Sequence, residues 1–193
     1  MTEARILTLS TPLTREVRKD LRAGDRVLLS GTIYAARDAA HRRMTESLRR
    51  GEPLPFDLRD QVVYYAGPAP TPPGRAIGPV GPTTSGRMDP YTPPLLDLGL
   101  GGMIGKGRRS PEVVEALRRR EGVYFGATGG AAVLLARCVR SSRVVAYEDL
   151  GPEAILELRV EGFPLVVVVD ALGQDLYETG PREARRLLGL EGP

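Results

Sequence analysis

This sequence predicts a mixed α/β domain, and three observations carry the prediction. Short strand-like segments alternate with helical ones over most of the chain, the C-terminal part is rich in strand signals, and 193 residues suit one domain better than two. We therefore expect a single domain over residues 1–193, built on a mixed sheet.

Arg5 to Leu9 reads as the first strand. Thr14 is placed to cap a helix through about Leu21, and Ala23-Gly24-Asp25 stops it. Arg26 to Ser30 is a second strand, which Gly31 turns toward a helix from about Ala36 to Arg50. Along that helix Ala40, Met44 and Leu48 recur at i+4 as a buried stripe, arginines fill the other side, and Gly51 and Pro53 end it. Gln61 to Tyr65 is a strand. From Ala66 to Gly86 Pro or Gly fills more than half the positions, which reads as a linker or a shaped site; patterned sequence on both sides of it favours the site, with the loop loose when the chain is alone.

Gly102 to Gly105 is a short buried strand, and Ser110 with Pro111 starts a helix whose apolar face is Val113, Val114 and Leu117. Val123 to Gly126 is a strand, and Gly129 opens an apolar helix, AAVLLA, expected to lie against the sheet. Val144-Val145, Leu156 to Val160 and Pro164 to Asp170 read as separate strands. Asp175 to Glu178 reads as a hairpin partner around Gly173, and Arg182 to Leu188 as a closing helix.

Composition excludes several classes of function. No apolar run is long enough to span a bilayer, and MTEARILTLS lacks the apolar core of a secretory signal. The single cysteine, Cys138, forbids an intrachain disulfide framework and suits a reducing cytoplasm. It equally forbids a metal cluster ligated by several cysteines of this chain. A net charge of +3, with scattered basic residues and few aromatics, gives no nucleic-acid platform. Lys19 and Lys106 are the only lysines among 27 basic residues, so a lysine stands out here.

Three motifs carry candidate chemistry. In Gly31-Thr-Ile-Tyr-Ala-Ala-Arg37-Asp38-Ala-Ala-His41 a strand leads into a helix whose free amides face an incoming anion, with Arg37 on the first turn and His41 one turn along. The plainer reading pairs Arg37 with a surface acid and leaves His41 solvated. In Gly81-Pro82-Thr83-Thr84-Ser85-Gly86-Arg87-Met88-Asp89 three hydroxyls and a guanidinium make an anion cradle. The plainer reading is an N-cap, with Thr84 or Ser85 capping a short helix through Asp89. In Gly105-Lys106-Gly107 an ammonium flanked by glycines is free to point at a ligand, or is a solvated loop lysine. A fourth stretch, Gly126 to Gly130, lacks the full dinucleotide pattern and is better explained by close helix–sheet packing, with Cys138 an inert residue near that helix's end.

In this order and spacing, GTIYAARDAAHRR, GPTTSGRMDPY, GKG, GATGGAAVLLARC and the DLG…FPLVVVVDALGQDLYE tail resemble the β subunit of class I fumarate hydratases. They also resemble the C-terminal domain of the single-chain forms and the L-tartrate dehydratase β subunit. The resemblance implies a swivelling three-layer β/β/α domain and a site shared with a partner α subunit that holds a 4Fe–4S cluster on three cysteines. It implies a homodimer or heterotetramer and a small dicarboxylate substrate. Carried over by motif position, Arg37, Arg87 and Lys106 bind the substrate, and Thr83 is the candidate base for the C3 proton of malate, helped by an acid of the partner. Asp38 and His41 orient Arg37, while Thr84 and Ser85 cap or donate. The tyrosine in GTIYAARD and the aspartate in GRMDPY look more fumarase-like than tartrate-like. Two further readings are a stand-alone anion- or nucleotide-binding module using the Gly126–Gly130 turn and a purely structural subunit.

Overall fold

A computed structural model describes residues 6–190 of the chain. The strands are β1 (Ile6–Ser10), β2 (Arg26–Ala35), β3 (Val62–Tyr64), β4 (Gly102–Gly105), β5 (Val123–Gly126), β6 (Val139–Ala146) and β7 (Ile155–Val169). The helices are α1 (Arg15–Asp20), α2 (Asp38–Arg49), α3 (Thr92–Asp97), α4 (Pro111–Arg120), α5 (Ala132–Arg137) and α6 (Leu176–Leu187). Arg5, expected to start the first strand, lies outside the described residues.

The sheet is mixed, as the alternation of elements requires. β1 to β5 pair in parallel along the order β1-β2-β3-β4-β5, and β7 runs antiparallel to β2, β5 and β6. Because β7 pairs with both β2 and β5, the hydrogen-bonded circuit β2-β3-β4-β5-β7 closes on itself. Strand side chains alternate between faces, so each strand feeds two cores. Val62, Tyr64, Ile104, Phe125, Phe163 and Leu165 fill the inside of the circuit. Val63, Tyr65, Met103 and Tyr124 point outward, where Met44 of α2, Leu95 and Leu96 of α3, and Val113 and Leu117 of α4 cover them. Leu135 of α5 packs with the inner cluster, so helices contribute to both cores.

Several elements depart from the sequence reading for identifiable reasons. α2 starts at Asp38 because Arg37 is still extended, with φ −140°. Its buried face is wider than the Ala40–Met44 stripe, since His41, Thr45 and Ser47 are buried too. The two strands expected at 156–160 and 164–170 are one 15-residue strand. Gly162, at φ +60°, sits where the pairing with β2 slips, and its N–H donates to Ser30 Oγ at 3.0 Å. That conformation suits glycine and lets the strand bend without ending. No hairpin strand forms at 175–178: only a single bridge joins Val169 to Asp175. The Asp175 carboxylate instead accepts from Tyr177 N at 2.8 Å and starts α6. α5 follows a 3₁₀ turn at Gly129–Ala131 and turns only Leu135 into the core, leaving Val133 and Leu134 exposed, so its apolar run does not lie wholly against the sheet. The 66–86 loop is tied down at both ends: Ile77, Val80 and Thr83 are buried, Ala69 N donates to Pro79 O at 3.0 Å, and Thr83 N donates to Tyr65 O at 2.6 Å.

Candidate active site

The three motifs meet at the carboxyl ends of β2, β3 and β4, where the parallel strands release their loops. The second and third are zipped by backbone. Lys106 N donates to Thr83 O at 3.2 Å, Ser85 N donates to Lys106 O at 2.8 Å, and Thr84 and Lys106 form a parallel bridge. This contact leaves no room for a side chain on Gly105, because a Cβ there would overlap Ser85 Oγ. The Ser85 hydroxyl is spent on the Tyr124 phenol at 2.8 Å, which also donates to Gly107 O. Thr84 makes no side-chain capping bond to the 3₁₀ turn Ser85–Tyr91, so the N-cap reading fails there.

The first motif joins through Asp38. Arg87 forks onto the Asp38 carboxylate through Nε, at 2.8 Å, and Nη2, while Arg37 Nε lies 3.3 Å from the same group. Burial works to raise the Asp38 carboxyl, but the Arg87 hydrogen bonds and its own backbone hold it below the ordinary carboxylate range. Arg37 also donates from Nη2 to Glu153 Oε1 at 2.7 Å, and Glu153 Oε2 accepts from Ala39 N at 2.7 Å. His41 does not reach the Arg37 guanidinium: its Nδ1 faces the Arg37 carbonyl at 3.2 Å. Nor is it solvated. It is fully buried edge-on to Tyr65, and burial pushes its pKa down to about 4.

Lys106 forms no ion pair among the described residues, and its side chain is exposed beside Gly129. The Gly126–Gly130 turn therefore borders this site. Close packing explains only the first of its glycines: a Cβ on Gly126 would come within 2.8 Å of Val168 of β7, whereas one on Gly129 would meet only the Lys106 side chain and one on Gly130 nothing within 4 Å. The Thr83 hydroxyl has no hydrogen-bond partner among the described residues. Thr84, Arg87 and Lys106 are all exposed, so the site is an open face. A cavity of about 470 Å³ elsewhere, lined by Arg75, Arg137 and Arg140, takes in none of these residues.

Two supports escaped the sequence reading. Glu153 lies 116 positions from Arg37, in the 3₁₀ segment Glu148–Glu153, where the sequence reading takes in only Asp149-Leu150-Gly151 and gives Glu153 no role. Arg109 is fully buried, donating from Nε to Asp89 Oδ1 at 2.7 Å and from Nη2 to Thr92 Oγ1 at 2.7 Å, with its charge over the Tyr65 and Tyr124 rings. Nothing in GKGRRS separated Arg109 from its exposed neighbour Arg108. Asp89 also accepts from Ser110 N at 2.7 Å, so this pair ties the far end of the 3₁₀ turn to the start of α4.

The α/β domain thus gathers on one open face two paired guanidiniums and, among the described residues, an ammonium without an ion pair and a hydroxyl without a hydrogen bond, a donor set whose chemistry suits an anion. The chain belongs to the fumarase C-terminal family, whose sequence profile, described as "Fumarase C-terminus", matches residues 1–180. It is 44% identical over 157 residues to fumarate hydratase 2 of Leishmania major and 45% identical over 156 residues to the aerobic class I fumarate hydratase of Escherichia coli K12. Those matches cover 80% and 79% of this chain but only 28% of each relative. A Methanocaldococcus jannaschii protein provisionally named L(+)-tartrate dehydratase subunit beta is 40% identical over 172 residues, covering 86% of this chain and 88% of that one.

Proposed function

We propose that this chain is the β-type component of a hydro-lyase that interconverts fumarate and L-malate, completed by a partner α subunit. The observation that carries the reading is the joining of three motifs: Asp38 ties Arg37 to Arg87, and the Thr84–Lys106 bridge brings Thr83 beside Lys106. Arg37, Arg87 and Lys106 would take the substrate carboxylates. Removing a proton next to a carboxylate yields an aci-carboxylate with two negative charges, and fixed cations favour it over the ground state. Thr83 would receive the C3 proton of malate while passing its own hydroxyl proton to a second base on the partner.

The family resemblance implies a 4Fe–4S cluster, and this chain's own residues do not fit one. Among the described residues no group of three or more His, Cys, Asp or Glu could hold a metal ion. Cys138 stands alone, its thiol directed at the carbonyls of Leu134 and Gly162. On our reading the cluster belongs to the α subunit. The openness of the site agrees with a partner, because charge stabilisation of this kind needs water excluded.

Dehydration of L-tartrate is the second reading, favoured by the near-complete length match to the relative named for that subunit. Assaying the anaerobically purified assembly with fumarate and with L-tartrate separates the two. With the preferred substrate, Lys106→Ala should lower kcat/KM about 10–100-fold, the loss of one charge-assisted bond of about 1.5–3 kcal/mol, while melting stays unchanged. Undiminished activity of that variant would refute the reading.

A further inference from the structure

Arg37 sits in a slot with three walls. Glu153 takes Nη2 on one side and Asp38 lies against Nε on another. Gly67, from the proline-rich loop, forms the third wall, where a Cβ would lie 3.2 Å from Arg37 Cδ, 3.4 Å from Nη1 and 2.7 Å from the Pro152 carbonyl. Pro152 immediately precedes Glu153, so the wall and the carboxylate come from one segment. That segment is anchored in turn by Arg43, which forks onto Asp149 with both bonds at 2.7 Å, and by the Arg43 charge over the Tyr147 ring. Arg37 Nη1 has no protein acceptor among the described residues. It is the donor edge left for a ligand.

We propose that Glu153 is a positioning residue, which locks the Arg37 guanidinium so that its Nη1 edge meets a substrate carboxylate. The geometry distinguishes this from plain neutralisation. Glu153 uses its two oxygens on two different donors, Arg37 Nη2 and Ala39 N, both at 2.7 Å. It thereby fixes the arginine relative to the first turn of α2, the turn that also carries Asp38. A carboxylate whose only effect was to lower the local charge would have no need of the helix amide. The proposal rests on the dicarboxylate reading above, because it gives the freed edge of Arg37 a carboxylate to bind.

The two roles have opposite signatures. If Glu153 merely competed with substrate for Arg37, removing its charge would lower KM. If it positions Arg37, removing it frees the guanidinium to swing, and a misplacement of about 1 Å costs up to roughly 100-fold in rate. The test uses the assembly purified with its partner, measured with fumarate and with L-tartrate. Glu153→Ala should raise KM about tenfold or more and lower kcat/KM further. Glu153→Gln keeps one acceptor and should recover part of the loss, while Gly67→Ala, which crowds the same arginine from the other side, should mimic Glu153→Ala. Should Glu153→Ala fail to assemble, the isosteric Gln variant and Gly67→Ala carry the test. An unchanged or lowered KM in these variants, beside an impaired Arg37→Ala, overturns the positioning role and leaves the proposed function standing. An unmutated assembly inactive on both substrates overturns the two together.

Discussion

Two arginine–aspartate pairs bracket the turn that carries the site, and they should behave in opposite ways when broken. At one end Arg87 and Asp38 keep side-chain exposures of 51% and 31%; at the other Arg109 and Asp89 keep 0% and 12%. Consider Asp89→Asn. Arg109 would remain buried against Thr92 and two tyrosine rings with its countercharge gone, and the amide would turn an NH₂ toward one of two donors, Arg109 Nε or Ser110 N. Breaking one side of a buried pair costs about 3–5 kcal/mol. For a chain of this length each kcal/mol lowers Tm by about 2–4 °C, so the variant should melt roughly 6–20 °C below the parent. Arg87→Ala breaks a pair that solvent already screens, worth about 0–1 kcal/mol, and should lower Tm by a few degrees at most. On the proposed function its penalty should fall on hydration activity instead. Scanning calorimetry of the two variants and the parent decides the matter. A Tm for Asp89→Asn within about 2 °C of the parent, or an Arg87→Ala drop as large as that of Asp89→Asn, would refute this division between a structural and a functional pair.

Two further outcomes follow from packing at the same face. His41 is held neutral by burial, with a pKa near 4 against an ordinary 6.5, and the Arg109 charge reinforces the effect. Below about pH 6.5 the unfolded chain therefore binds a proton that the folded one refuses. The stability linked to His41 is full above that pH and declines as pH falls toward 4, by about 3 kcal/mol in all. Chemical denaturation between pH 7 and 5 should show the slope in the parent and a shallower one in His41→Gln, and equal slopes would dismiss the assignment. Gly105→Ala should cost about 1–3 kcal/mol through overpacking, because the added methyl collides with Ser85 Oγ and comes within 3.0 Å of the Tyr65 ring. An unchanged denaturation midpoint for that variant would show that the bridge between the second and third motifs yields more easily than its geometry indicates.

How much of this was legible beforehand depended on how far each signal reached along the chain. The strands β4 and β5 and the start of α4 were legible because their cues are local: the glycine-bounded apolar run at 102–105, and Ser110, whose hydroxyl does accept from Val113 N. The union of the last two predicted strands was hidden because Gly162 and Pro164 are residues that ordinarily end a strand. Only the slipped register opposite Ser30 shows why they do not. For the site, the motifs marked the correct loops, since glycines, hydroxyls and a rare lysine are visible in one dimension. The supports were not. Glu153 and Asp89 act through partners 116 and 20 positions away, and an acidic residue among 24 gives no sign of which arginine it will meet. His41 misled for a related reason: its spacing tied it to Arg37 one turn earlier, while the rings beside it, Tyr65 and Tyr91, come from 24 and 50 positions away.

The pairing pattern also bears on what a partner must contribute. Arg37 and Arg87 are balanced by Glu153 and Asp38, so of the site's cations Lys106 alone carries charge not matched within the described residues. Paired arginines are not idle, because a guanidinium has more N–H donors than one carboxylate consumes, and holding it in place lowers the cost of presenting the rest. On the proposed function, however, the reacting species gains negative charge, as a dicarboxylate with two charges loses a further proton at carbon. One unmatched ammonium cannot offset three negative charges on an open face, where water screens each interaction. The face that closes over Thr83, Arg87 and Lys106 must therefore bring positive charge of its own and exclude solvent as it does so. A partner surface that brought only the base for the Thr83 proton and no positive charge to this face would be incompatible with this electrostatic account, however well its shape fitted the site.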